Sequence, residues 1–117
     1  MPSRDGGAAL RDILHHIDLA ENWIVGFDET SFQEDLRTVY AVTRCLEIIS
    51  EASRRLSDDL KARNPTIPWR DMAGAGNVYR HDYEDVAARF VWQTVLHDLQ
   101  ALRVVIAGEL AAGERRL

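Results

Sequence analysis

Between Ser31 and Ala62 the chain places apolar residues on one helical face for turn after turn: Leu36, Val39, Val42, Leu46, Ile49, Ala52, Leu56 and Leu60. Steps of three and four residues are those of an amphipathic helix laid on a core. Ser31, followed three residues later by Glu34, gives the start a capping-box pattern. Asn64-Pro65 closes the run, because proline drives the residue before it out of helical geometry. A helix of that span is about 48 Å long. A compact sphere of a 117-residue chain is only about 35 Å across. A helix longer than its own domain must kink, run the length of an elongated bundle, or project into a partner. The expectation is an elongated bundle that dimerises.

The rest of the chain reads in the same period. From Ala8 to Gly26, Leu10, Ile13, Leu14, Ile17, Ala20 and Ile24 recur at helical spacing, and Gly26 is a plausible C-terminal stop. A third segment, PTIPWRDMAGAGNVYRH, opens with Pro68 in a favourable first-turn position. Gly74 and Gly76 weaken it, so one or two short helices ending near His81 are expected. With Asp85 as N-cap, Phe90, Trp92, Val95, Leu99, Leu102, Ile106 and Leu110 carry a last apolar face to about Ala112. Strand-like alternation is absent from the sequence. The predicted fold is all-α: an elongated antiparallel helical bundle of three main helices plus one or two short ones, a single domain over residues 1–117.

Net charge is −5, which argues against a generic nucleic-acid coat protein and leaves room for a local basic site. Lys61 is the one lysine among fourteen basic side chains. Arginine suits planar recognition of phosphate and carboxylate, although genome base composition produces the same bias. Cys45 has no second cysteine to pair with and sits in an apolar pattern, so it reads as a buried thiol in a reducing compartment. The opening MPSRDGGAAL has no signal-peptide core, and no apolar run is long enough to span a bilayer. The expected location is cytoplasmic, away from membranes.

Chemistry concentrates in GAGNVYRHDYEDV, residues 74–86. From Gly76 to Tyr83 the spacing is G-N-x-x-x-H-x-Y. Histidine titrates near neutrality and can move a proton at each stage of a reaction. An asparagine amide can orient an oxygen or fix the imidazole tautomer. A lone histidine in a small helical protein is also commonly structural. His15 and His16 are adjacent and point to different sides of a helix, and His97 falls on the polar side of the last segment. No spacing predicts a metal site. Gly74-Ala75-Gly76 lacks the lysine and the strand-before-helix setting of a phosphate-binding loop.

Through DLRTVYAVTRCLEIISEASRRL, RNPTIPWRDMAG and NVYRHDY, and along most of its length, the chain resembles the HEPN superfamily, in particular its HepT-like toxin branch. The family motif is R-x-x-x-x-H, commonly extended as R-N-x-x-x-H-x-Y. Asn77, His81 and Tyr83 match it, and Gly76 stands where the arginine belongs. The resemblance implies a HEPN-like fold and an RNA endonuclease that needs neither metal nor cofactor. It implies a homodimer with the two motifs close together across the interface. It further implies the toxin of a type VII-like toxin–antitoxin system, silenced when a nucleotidyltransferase (MntA-like) antitoxin transfers AMP to Tyr83. His81 and Asn77 are then catalytic. Arg80, one turn after Gly76, can drape over the spot that the glycine leaves empty.

Two other readings stay open: a non-catalytic HEPN homologue acting as a binding or regulatory subunit, and a helical adaptor with an incidental motif. Glu47, with Arg44 and Glu51, is either part of a solvated ion-pair face or a polar support for His81. Arg54, Arg55, Lys61, Arg63 and Arg70 gather near the end of the second segment. They are either ordinary surface charges or the RNA path of an acidic protein. Trp69 and Trp92 are expected to pack the core with their indole nitrogens on polar partners.

Overall fold

In the computed structural model the long predicted helix is three helices. The structure describes the backbone of residues 2–81 and 84–116, and the side chains of residues 6–75 and 88–113. Among them the order is α1 (Pro2–Trp23), α2 (Glu29–Glu34), α3 (Leu36–Ser53), α4 (Asp58–Arg63), α5 (Trp69–His81), α6 (Glu84–His97) and α7 (Leu99–Arg116). No strand occurs among the described residues.

Caps decide where the predicted 31–62 helix breaks. Asp35 ends α2, donating its amide to the Phe32 carbonyl, and starts α3, accepting from the Thr38 amide at 3.3 Å. Ser57 caps α4 by accepting from the Leu60 amide at 3.1 Å. Each cap satisfies a donor that a helix terminus leaves open. The capping box also lies one turn earlier than predicted. Asp28, not Ser31, is the N-cap of α2: the Ser31 amide donates to the Asp28 carboxylate at 2.8 Å, and the Asp28 amide donates to Ser31 Oγ at 2.9 Å. These bonds hold the Asp28 carboxyl below its usual value. Gly26 adopts φ 88°, the left-handed conformation that closes α1, as expected.

The molecule is still elongated, with extents of 46 × 26 × 23 Å and a radius of gyration of 14.5 Å. About 13.4 Å is typical of a compact chain of this length. No single helix spans the long axis; α3 is 18 residues, about 27 Å. The last predicted helix is two, α6 and α7, with Asp98 between them. The ladder nonetheless continues there, because the Asp98 amide still reaches the Thr94 carbonyl at 2.9 Å. Helix α6 opens at Glu84, so Asp85 lies inside its first turn rather than before it.

Helix α1 packs against α3 and α7, and α3 also meets α5 and α6. The core is the apolar face of each: Ile13 and Ile17 from α1, Val42 and Leu46 from α3, Val91 and Trp92 from α6, and Leu102 and Ile106 from α7. Leu56 and Leu60 remain buried although the helix turns between them. Buried Ser53 donates to the Ser50 carbonyl at 2.6 Å, and no described buried side-chain polar atom lacks a partner. No helix among the described residues is long and apolar enough to cross a membrane.

One position can be improved. Gly74 lies in α5 without a positive φ, and a Cβ built there meets nothing within 4 Å. Gly74→Ala removes backbone freedom from the unfolded chain at no steric cost. It should stabilise the fold by about 0.5–1 kcal/mol and raise the thermal midpoint by about 2–6 °C. A melt that shows no gain would mean the backbone at Gly74 is not regular helix.

Candidate active site

The predicted motif lies on α5 as far as His81, and its flank explains where that helix begins. Ile67 is buried, and the Pro68 carbonyl takes the Met72 amide at 3.0 Å. The Trp69 indole Nε1 donates to the Asn64 carbonyl at 3.0 Å, the polar partner expected of it. From Trp69 the helix runs unbroken through both glycines to His81. Of the two expectations for this segment, one helix or two, it is one.

On α5, Gly76 and Arg80 are one turn apart, as are Asn77 and His81, so each pair shares a face. The side chains of Asn77, Arg80 and His81 lie outside the described residues, and Tyr83 lies outside them altogether.

Helix α3 supplies the surface against α5. At 100° per residue, Leu36, Tyr40, Thr43, Glu47, Ser50 and Arg54 fall in one sector of α3. Ser50 Oγ donates to the Ala73 carbonyl of α5 at 3.1 Å. The Arg54 guanidinium donates to the same oxygen through Nε at 3.1 Å and Nη2 at 2.6 Å. Glu47 is therefore on the side of α3 that faces α5, and it is half-buried. No salt bridge joins it to Arg44, which is exposed, as is Glu51.

The arginines expected to form one basic path diverge instead. Arg54 is bonded to α5. Arg55 pairs with Asp12 of α1 at 2.9 Å. Arg63 pairs with Glu109 of α7 at 2.8 Å, and Asn64 adds a bond to the same carboxylate at 3.0 Å. Arg70 is exposed in the first turn of α5 and makes no salt bridge among the described residues. Arg103, which the sequence did not single out, bonds both Asp18 and Glu21 of α1. At least one partner in each pair is partly exposed, so solvent screens these bonds and they add little to stability. A guanidinium has five donors, so a paired arginine can still meet a phosphate.

Two other groups bear on the chemistry. Cys45 is 2% exposed, and burial pushes its thiol up to about 11. It is protonated at neutral pH and a poor nucleophile. A cavity of about 300 Å³, not foreseen from sequence, opens between α3, α5, α6 and α7, with apolar walls that include Leu46, Ile49, Met72 and Leu102; Asp71 and His97 also line it. Ser50 was missed as well. Its signal was a small hydroxyl beside the apolar positions Ile49 and Ala52.

The family described as Ribonuclease HepT-like matches residues 13–107. A Thermococcus cleftensis protein named "Probable ribonuclease HepT" is 39% identical over 94 residues, 80% of this chain and 86% of that protein. Two proteins of Methanocaldococcus jannaschii, each named as a candidate RNase, are 34% and 33% identical over 103 residues. The alignments span 88% of this chain and 89% and 85% of those proteins. No solved structure gives a significant match. The matched span takes in α5 with Asn77 and His81 as well as the α3 face bonded to it, and the chain belongs to the HepT-like ribonuclease family of the HEPN superfamily.

Proposed function

We propose that this chain is an endoribonuclease that works as a homodimer and is silenced by AMP transfer to Tyr83. The observation that carries the reading is the family match over residues 13–107, which encloses Asn77, His81 and Tyr83 at the motif spacing. The relatives' names add support.

In the proposed reaction the RNA 2′-hydroxyl attacks the adjacent phosphorus. The 2′-oxygen loses its proton, a cyclic phosphate forms, and the 5′-oxygen leaves with a proton. His81 moves the proton, since imidazole exists in both forms near neutral pH. Asn77, one turn away on α5, orients the imidazole or a phosphate oxygen. Glu47 supports from α3. The reaction calls on no metal or cofactor. Arg70, exposed and without a salt bridge among the described residues, is the cation proposed for the RNA strand, with Arg55 and Arg63 offering their remaining donors.

The second copy is proposed on the exposed N-terminal end of the α3 sector that carries Glu47, away from the Ser50 and Arg54 contacts with α5. There Leu36 is 46% exposed and Tyr40 57% exposed, which leaves apolar surface beside the site. The nucleotidyltransferase antitoxin is the second partner. AMP on Tyr83 adds negative charge and bulk two residues from His81, which repels an incoming phosphate.

Two measurements test this. RNA cleavage should persist in chelator and vanish in His81→Ala. Treatment with ATP and the cognate nucleotidyltransferase should add the mass of AMP to the intact chain and suppress cleavage, and Tyr83→Phe should take up none. Unchanged mass in the native chain would remove the antitoxin from the proposal. Gly76 favours a second reading, a homologue that keeps the fold and partners without cleaving. It predicts AMP transfer with no cleavage in either the native chain or His81→Ala.

A further inference from the structure

We infer that Ser50 and Arg54 are positioning residues: together they fix the placement of α5 and so of the motif it carries, an inference whose catalytic part rests on the function proposed above. Three donors from α3 converge on one oxygen, the Ala73 carbonyl: Ser50 Oγ at 3.1 Å, Arg54 Nε at 3.1 Å and Arg54 Nη2 at 2.6 Å. That carbonyl lies inside a helix. In a regular α-helix the carbonyl of residue i takes the amide of residue i+4, which for Ala73 is Asn77. The oxygen held from α3 thus occupies the ladder position one turn before Asn77.

Several features make this more than a surface bond. Ser50 is 2% exposed and spends its hydroxyl here. Arg54 is the C-cap of α3, where a cation is favoured by the helix dipole whatever it bonds. Its guanidinium nevertheless reaches across to another helix, and charge-assisted bonds of this kind are the stronger class. The contact also falls just before the weakest part of α5. Ala73 is followed by Gly74-Ala75-Gly76, and glycine is poor in helix interiors. Gly74 is exposed and has open space where a Cβ would sit, so it offers α5 no packing there. From Ala73 to His81 is about two turns, or about 12 Å. A rotation or slip released at Ala73 is carried to His81 by the helix itself.

This assignment differs from that of Arg54 as an RNA-contacting cation, and kinetics separate the two. Loss of a phosphate contact raises KM and lowers the salt dependence. Loss of positioning lowers kcat, because the catalytic group no longer meets the reacting atoms in the right geometry. The test compares the full-length native chain with Arg54→Ala, Arg54→Lys and Ser50→Ala. Amide hydrogen exchange over residues 74–81 should quicken at least tenfold in Arg54→Ala, with α1 and α7 unchanged. Ser50→Ala, which keeps the charged donor, should show a smaller effect of the same kind. RNA cleavage by Arg54→Ala should lose at least tenfold in kcat with KM within twofold. Arg54→Lys should restore little of it, because an ammonium cannot reproduce the planar two-nitrogen fork. Unchanged exchange in both Arg54→Ala and Ser50→Ala overturns the inference. Faster exchange with unchanged kcat overturns the catalytic part, and a rise in KM alone returns Arg54 to the RNA path. If neither the native chain nor Gly76→Arg cleaves RNA, it is the function that fails, and exchange alone decides whether α5 is held from α3.

Discussion

Gly76→Arg is expected to raise RNA cleavage by about 10²–10³-fold, the usual worth of one preorganised donor aimed at a developing oxyanion. The α5 backbone is helical at residue 76, so an arginine there enters an existing helix one turn before Arg80. It also removes the helix penalty of a glycine. Its guanidinium would clamp the phosphate that gains charge as the 2′-oxygen attacks. His81→Ala in the same background should lower the rate by about 10²–10⁴-fold, the usual worth of general acid–base catalysis. Arg80→Ala should remove most activity of the native chain and little from Gly76→Arg. That asymmetry is the sharpest element, because it follows only if Arg80 stands in for the arginine absent at position 76. A Gly76→Arg chain no faster than the native one would show that the missing arginine is not what limits this site. Equal losses from Arg80→Ala in both backgrounds would place Arg80 outside that role.

Family and fold class were legible for different physical reasons. Helical period is a local property, and the core residues Ile13, Ile17, Val42, Leu46 and Leu102 lie where their spacing puts them. The motif residues Asn77, His81 and Tyr83 sit within seven positions of one another, and the resemblance around them along most of the chain gave that short pattern its weight. The broken helix was not legible because Leu56 and Leu60 keep the period across the turn at Ser57: the chain leaves one helix and enters the next on the same side of the core. The cap residues Asp35 and Ser57 were present, but an apolar stripe that continues past them hides their meaning. Ser31-Glu34 misled in the opposite way, because Asp28 lies one turn earlier and makes the reciprocal bonds with Ser31. The arginines show what sequence cannot give. Arg55 meets Asp12 and Arg103 meets Asp18 across long stretches of chain, so their partners follow from the tertiary arrangement alone. The basic cluster near Arg54 is close in sequence and directed at three different helices.

Phe32→Ala is expected to cost about 3–5 kcal/mol, the range for removing a buried aromatic ring. Helix α2 has six residues, far too few to persist in water without tertiary contacts. Phe32 is its buried residue, 0% exposed. The ring lies 5.2 Å from that of Trp92 on α6 and meets Phe27 edge-on at 6.5 Å. Such aromatic contacts add about 0.5–1.5 kcal/mol beyond the area they bury. Deleting the ring removes both contacts and opens a void that the flanking caps, Asp28 and Asp35, prevent α2 from closing by sliding. Native domains hold only about 5–15 kcal/mol in total, so the loss is a large share of it. Denaturant titration should show a much lower midpoint with an unchanged slope, the signature of lost stability without a new intermediate. Phe32→Leu, which keeps much of the volume, should cost about 1.5 kcal/mol or less. A small loss in Phe32→Ala, or a lowered slope, would mean that α2 detaches from α6 by itself while the remaining helices stay folded. That outcome would separate α2 from the cooperative unit and leave Trp92 to be buried by other residues.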